Sequence, residues 1–323
     1  MTNIKQYGIF LFILSLIFLP LIIDSYFLQV TIISLIFVIL ALSLNLIMGI
    51  AGQLSLCHAA FFGVGAYSSA LFAMKLNLSF WVVMPMATLF TGLIGFLIAI
   101  PSLRLRGHYL AIVTLGFGEL IYQVFERWES VTRGVMALTE IPRPTPILGL
   151  NFQSKIHYYY LILCLVGFVL FFIHQIINSR VGRALKAIRE DEVSAQALGI
   201  NTHRFKIIIF AIGTSIAGLA GSFHAHYQTV LAPTEFTLVD SVRILMMIII
   251  GGLGSMPGSV IGAIIVYWLP EILRPIGNYR DIVFGILVVL IIIFCPGGFI
   301  ELYRDTKVFC QKVFSKICLI AKD

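Results

Sequence analysis

Few residues of this chain could do chemistry, and those few interrupt long apolar runs. Glu119 follows Gly116-Phe117-Gly118 inside one run, and Arg243 opens another. A charge within an apolar span is costly and usually has a partner. The two residues are opposite in sign, so Glu119 and Arg243 are expected to pair. The pair could be purely structural, or it could meet a zwitterionic solute. Cys57, Cys164, Cys295, Cys310 and Cys318 form no C-x-x-C pair and read as reduced packing residues. His224 and His226 are two apart, which on a helix sends them to different faces, so a metal site is not expected. No G-x-x-x-x-G-K-[ST] loop and no Ser-His-Asp or Cys-His set is present. One intramembrane carboxylate does not make a proton relay, so uphill work would need energy from another protein.

Two glycine-rich breaks are more informative. One is Gly49-Ile50-Ala51-Gly52-Gln53-Leu54-Ser55. The other runs Gly251-Gly252-Leu253-Gly254-Ser255-Met256-Pro257-Gly258-Ser259. Each has spaced glycines, then serine, then a small-residue helix, with Gly63 and Gly65 in one case and Gly262 and Ala263 in the other. Glycine breaks in corresponding halves can build a pathway from broken helices. Unwound backbone is tolerated at membrane depth only when buried or lining a cavity. Close helix packing through small residues is the alternative.

A third feature is the charged stretch from Arg180 to Asn201. Ala184, Leu185, Ala187 and Ile188 form an apolar stripe at helical spacing. Arg183, Glu190, Ala195 and Ala197 lie on the same stretch. Asp191 can cap a second short helix, and Gly199 suits its C-terminal cap. Such an elbow, lying on a membrane surface with small exposed side chains, fits docking into a groove of another protein. It could also be a cationic loop that only sets topology.

These features require spanning elements, and composition supplies them. The chain has 323 residues, 59% hydrophobic and 11% charged, where soluble domains average about 25% charged. The net charge of +7 sits in short segments between apolar runs, the bias of membrane proteins and not a nucleic-acid patch. Candidate spans are 8–23, 29–48, 56–74, 80–100, 109–125, 158–177, 207–226 and 280–296. The first lacks a small-x-small cleavage site and reads as retained. Two shorter apolar runs within 241–270 are either two crossings or one re-entrant hairpin. With the N-terminus inside, segments 1–7, 49–55, 101–108, 178–206 and 297–323 carry most of the Lys and Arg, so both termini are expected in the cytoplasm. The expected fold is an all-α polytopic bundle of about eight to ten crossings, a single membrane domain over 1–323. Its loop over 126–157 lies outside, its coupling loop over 179–206 inside, and its basic tail over 301–323 against the membrane.

The stretch from Leu103-Arg104-Leu105-Arg106-Gly107-His108-Tyr109 to Gly116-Phe117-Gly118-Glu119 resembles the signature of the LivM-type permeases of branched-chain amino-acid ABC importers. Asn45–Ser55, Gly63–Tyr67, Gly182–Ile200, Pro233–Ser241, Gly251–Ser255 and Cys295–Phe299 resemble further family segments, from about residue 29 to 302. The resemblance implies a bacterial inner-membrane protein with a second, LivH-type permease. It also implies two cytoplasmic ATPases that hold ATP and Mg, and a periplasmic or surface binding protein that delivers leucine, isoleucine or valine. No cofactor is expected on this chain. The coupling role would fall on Arg183–Gly199, and the path on residues that include Gly49, Gly52, Gln53, Ser55, Gly251, Gly252, Gly254 and Ser255. Related permeases serve urea and short amides, and a self-sufficient secondary transporter or channel is the alternative of another class. One departure stands out: where the family has T-G-G-x-x-G before I-P, this chain has Thr132-Arg133-Gly134-Val135-Met136-Ala137 before Ile141-Pro142. That loop is expected to be stiffer and more cationic.

Overall fold

The computed structural model describes residues 18–20, 22–103, 105, 107–146, 152, 154–294 and 297–299. Most of the expected 8–23 span, the 301–323 tail, Arg104, Arg106 and Cys295-Pro296 lie outside the described residues. Among the described residues the chain is helical, with one isolated bridge between Leu138 and Leu231. The longer helices are α1 (Ser25–Leu44), α2 (His58–Leu76), α3 (Phe80–Ser102), α4 (His108–Arg127), α5 (Lys155–Asn178), α6 (Arg180–Glu190), α7 (Glu192–Ala197), α8 (Thr202–Gln228), α9 (Leu238–Gly251), α10 (Met256–Ile272) and α11 (Arg280–Phe294).

Among the described residues, six segments have the length and apolarity to cross a bilayer: α1 with its extension to Ile50, then α2, α3, α4, α5 and α8. The expected 280–296 span is a 15-residue helix, α11, and is shorter than those six. An all-α polytopic membrane fold follows from these elements.

The apolar pattern explains who sits where. From Val30 to Leu44 every residue of α1 is buried, as a helix apolar on all sides should be. It is wrapped by α5, α8, α9 and α10. α8 makes the most extensive contacts, with α3 and α2. Lipid tails give no hydrophobic drive between spans, so close backbone approach replaces it. A Cβ on Gly65 would strike the backbone of Gly218, and one on Gly221 would strike Phe62 and Ala66. Gly92 and Gly95 of α3 meet Ser215 and Thr214 in the same way.

The bundle has two ends. At one, the α6–α7 elbow lies beside the break after α1 and the α9–α10 turn. At the other, the 128–146 segment folds back through Leu138–Leu231 pairing and a Trp81 Nε1 bond to the Thr145 carbonyl (3.1 Å). We call these the elbow face and the loop face. The 241–270 question now has a physical answer. Tyr26 of α1 bonds Glu271 near the end of α10, while Asn45 bonds Gly254 before its start. Those anchors are nineteen residue steps apart along the helix, or about 28 Å at 1.5 Å per residue. The hairpin therefore traverses nearly the depth of α1. Its descending limb is completed by non-helical residues: Phe236, buried against Phe62, Tyr67 and Phe125, precedes α9 inside the bundle.

In the 126–157 loop, at the two positions where the resemblance leads to glycine, Arg133 (φ 61°) and Ala137 (φ 61°, ψ 147°) adopt the left-handed backbone that glycine takes freely.

Candidate functional site

The site is built where sequence-distant breaks meet. α1 ends in a π-helical segment, Asn45–Ile50, of the kind that often marks functional positions. Asn45 Oδ1 accepts the Gly254 amide at 2.8 Å. Gly49 has to be glycine, because a Cβ there would overlap Asn45 Oδ1 and the Gly254 nitrogen. Gly252 (φ 109°) and Gly254 (φ 86°) make the α9–α10 turn in backbone that other residues avoid. Gly251 does something different: it packs its backbone on Gly258 and Gly262 and sits in the helix proper. Ser255 caps α10, its side chain accepting from the Gly258 amide (3.3 Å).

Arg189 of α6 enters this junction. Its guanidinium donates to the Gly49 carbonyl. A Cβ on Gly254 would meet that same Nη1, and one on Gly52 (φ 68°) would lie 3.2 Å from Arg189 Cγ. Three glycines from both breaks therefore surround one arginine of the elbow. Gln53 Nε2 donates to the Lys206 carbonyl at 3.2 Å, joining the first break to α8. Ser55 is buried beside Cys57 (3.4 Å).

The elbow has the local logic its residues imply. Ser179 caps α6 by accepting from the amides of Val181 and Gly182. Arg183 braces the corner through the Asn178 carbonyl (3.3 Å). Asp191 caps α7, accepting from the Val193 amide at 2.9 Å and the Ser194 hydroxyl at 2.5 Å. The Ser194 hydroxyl, then the Val193 and Ser194 amides, hold its carboxyl below the usual range. Gly199 (φ 81°) closes α7: its amide bonds Gln196 O, and the Ile200 amide bonds Ala195 O, a Schellman pair. α7 is tied to the start of α8 by Glu192–Lys206 (2.8 Å) and Gln196–Thr202 (2.8 Å).

Two expectations are corrected. Ile188 and Ala195 are buried, and Ala184 and Ala187 are half-buried. The alanine stripe thus packs inward, because an elbow lying on the bundle first buries its apolar side against its own chain. The outward surface is Val193, Ala197 and Leu198 with the charges of Arg183, Glu190 and Asp191. The second concerns Glu119 and Arg243, which take separate partners. Glu119 accepts from Gln123 Nε2 at 3.2 Å, one turn along α4, and Arg243 pairs with Asp240 at 3.2 Å on α9. Glu119 lies on the exposed side of α4 in line with Gln123 and Glu126.

Sequence reasoning did not single out Asn45 or Arg189. Asn45 carried a signal, an amide in an otherwise apolar span, while Arg189 looked like one loop cation among several. His224 and His226 do point apart. His224 Nε2 meets Glu235 at 2.8 Å, whereas His226 bonds Ser69 (3.0 Å) and the Pro142 carbonyl (2.5 Å).

Comparison with known proteins places this geometry. A family described as "Branched-chain amino acid transport system / permease component" matches residues 26–292. The chain is 34% identical to the high-affinity branched-chain amino acid transport system permease protein LivM of Escherichia coli (strain K12), with 84% of this chain and 69% of that protein covered. It is 27% identical to the corresponding LivH protein of Salmonella typhimurium, covering 81% of this chain and 90% of the relative. The probable LivM protein of Methanocaldococcus jannaschii is 24% identical, over 67% of this chain and 66% of that protein. No solved structure matches.

Proposed function

The chain belongs to the branched-chain amino-acid transport permease family, and on that premise we propose that it is one of two homologous membrane subunits of an ATP-driven importer of leucine, isoleucine and valine. A binding protein delivers the solute at the loop face, and two cytoplasmic ATPases, which hold the ATP and Mg, dock at the elbow. Both termini lie in the cytoplasm of a bacterial inner-membrane protein. The observation that carries this reading is Arg189, which links the elbow to both glycine breaks at once.

The mechanism is alternating access. ATP closure moves α7, whose exposed Val193, Ala197 and Leu198 sit in the ATPase groove. Motion passes along two routes. One is α6 and Arg189, into the carbonyl of Gly49 and the turn at Gly254. The other is Glu192–Lys206, into α8 and so into α2 and α3. Glycine turns yield at low cost, so the breaks are where the bundle would bend. The carboxylate stripe of α4, Glu119 and Glu126, cannot face lipid cheaply and lies on the open side of the single chain. The second permease would cover it.

Tryptophan at Ala197 or Val193 should uncouple the complex. ATP hydrolysis would continue while leucine uptake per ATP falls, with insertion unchanged. Unaltered coupled uptake in both variants would contradict the docking role.

A further inference from the structure

A cavity of about 440 Å³ opens between α1, α2, α8, α9 and α10 where the 229–237 segment, with its short 3-10 turn at Pro233–Glu235, enters the bundle. That volume is within the range of ligand pockets, roughly 300–1,000 Å³. Its floor is apolar: Phe37 lies 6.2 Å from Phe62 and 5.2 Å from Tyr267, centroid to centroid, with Ile33 alongside. Its wall is polar and of both signs. Glu235, 36% exposed, holds His224 through one carboxylate oxygen at 2.8 Å. Arg243, 41% exposed, bonds Asp240 at 3.2 Å through Nη1. Asp240 is otherwise engaged, since its other oxygen accepts the Thr237 amide (3.2 Å) and hydroxyl (2.7 Å) in the cap of α9. It steers Arg243 and leaves Glu235 as the anion facing the space.

We propose that this cavity is a transient binding station for an α-amino acid, with Arg243 taking the carboxylate, Glu235 the ammonium, and the Phe37–Phe62 floor the apolar side chain. This rests on the amino-acid substrate proposed above and adds where, on this chain, the solute pauses. A solute of one sign would leave one charged wall without its counterpart, whereas a zwitterion satisfies both. Each wall group already has a protein partner, so binding is weak, which suits a station that must release its occupant.

The test uses the assembled importer in vesicles, with Cys164, Cys295, Cys310 and Cys318 replaced by serine and the buried Cys57 kept. One variant carries Thr234→Cys and a second Val239→Cys, both on exposed lining residues. Modification by a charged, thiol-specific reagent is timed with L-leucine, with isovalerate (no ammonium) and with isopentylamine (no carboxylate). Leucine alone is expected to protect. Adding Glu235→Gln or Arg243→Gln should raise the leucine concentration required about tenfold, the worth of one charge-assisted hydrogen bond. Absence of protection in both cysteine variants while the vesicles take up leucine would overturn the station. Equal protection by all three compounds would do the same. Failure of the parent complex to take up leucine would count against the substrate assignment, and protection is scored independently of that result.

Discussion

Arg189 is the residue on which the coupling account turns. An arginine can reach one carbonyl and pack against a neighbouring turn because its planar head presents several donors in fixed directions, which lysine does not. Arg189→Ala should leave ATP hydrolysis near its normal rate and lower leucine uptake per ATP about tenfold, the effect of losing one charged hydrogen bond. Arg189→Lys should restore little of it. Uptake and phosphate release measured in the same vesicles decide this, and an unchanged ratio in Arg189→Ala would remove the Arg189 link from the mechanism. Ala137 makes a second case. It sits at φ 61°, ψ 147°, close to a region open only to glycine. Ala137→Gly should raise stability by about 1 kcal/mol, read as a higher melting temperature of the purified protein. The Glu119–Arg243 pairing failed at this same scale. Each residue found a partner within one turn of its own helix, and opposite sign in two apolar runs carries no information about which side of the bundle each run occupies.

At the scale of elements, six spans and the elbow were legible because each is specified locally. The spans need only about 20 apolar residues. The elbow needs Asp191 before α7 and Gly199 after it, and both residues perform those caps. What was not legible depends on contacts between residues far apart in sequence. The start of α9 inside the bundle is set by Phe236 packing against α2 and α4, and nothing within 233–241 encodes that depth. The inward turn of Ala195 and Ile188 is likewise a choice between two faces that only the bundle makes. In the second glycine break Gly251 serves the close-packing reading, while Gly252 and Gly254 make the turn that interrupts the helix. Where α2 crosses α8, Gly65 touches the backbone of Gly218. Gly65→Leu should cost about 3 kcal/mol by overpacking that crossing. Lower yield and an earlier thermal transition would show it, and a variant as stable as the parent would mean the helices do not meet there.

At the scale of the molecule, the structure is a single chain with two unlike ends. The loop face carries the folded 128–146 segment and the mixed-charge cavity, and the elbow face carries the capped helices and the arginine junction. α1 runs between them, buried from Val30 to Leu44, so a push at one end has a packed route toward the other. The proposed function assigns solute arrival to one end and force to the other. The central claim is that the force comes from a separate protein. It is tested by leucine flux into vesicles holding this chain and its homologous permease, with and without the two ATPases and the binding protein. Uptake is expected only when ATPases, binding protein and ATP are all present. Leucine movement through the purified chain alone, without nucleotide, would contradict it.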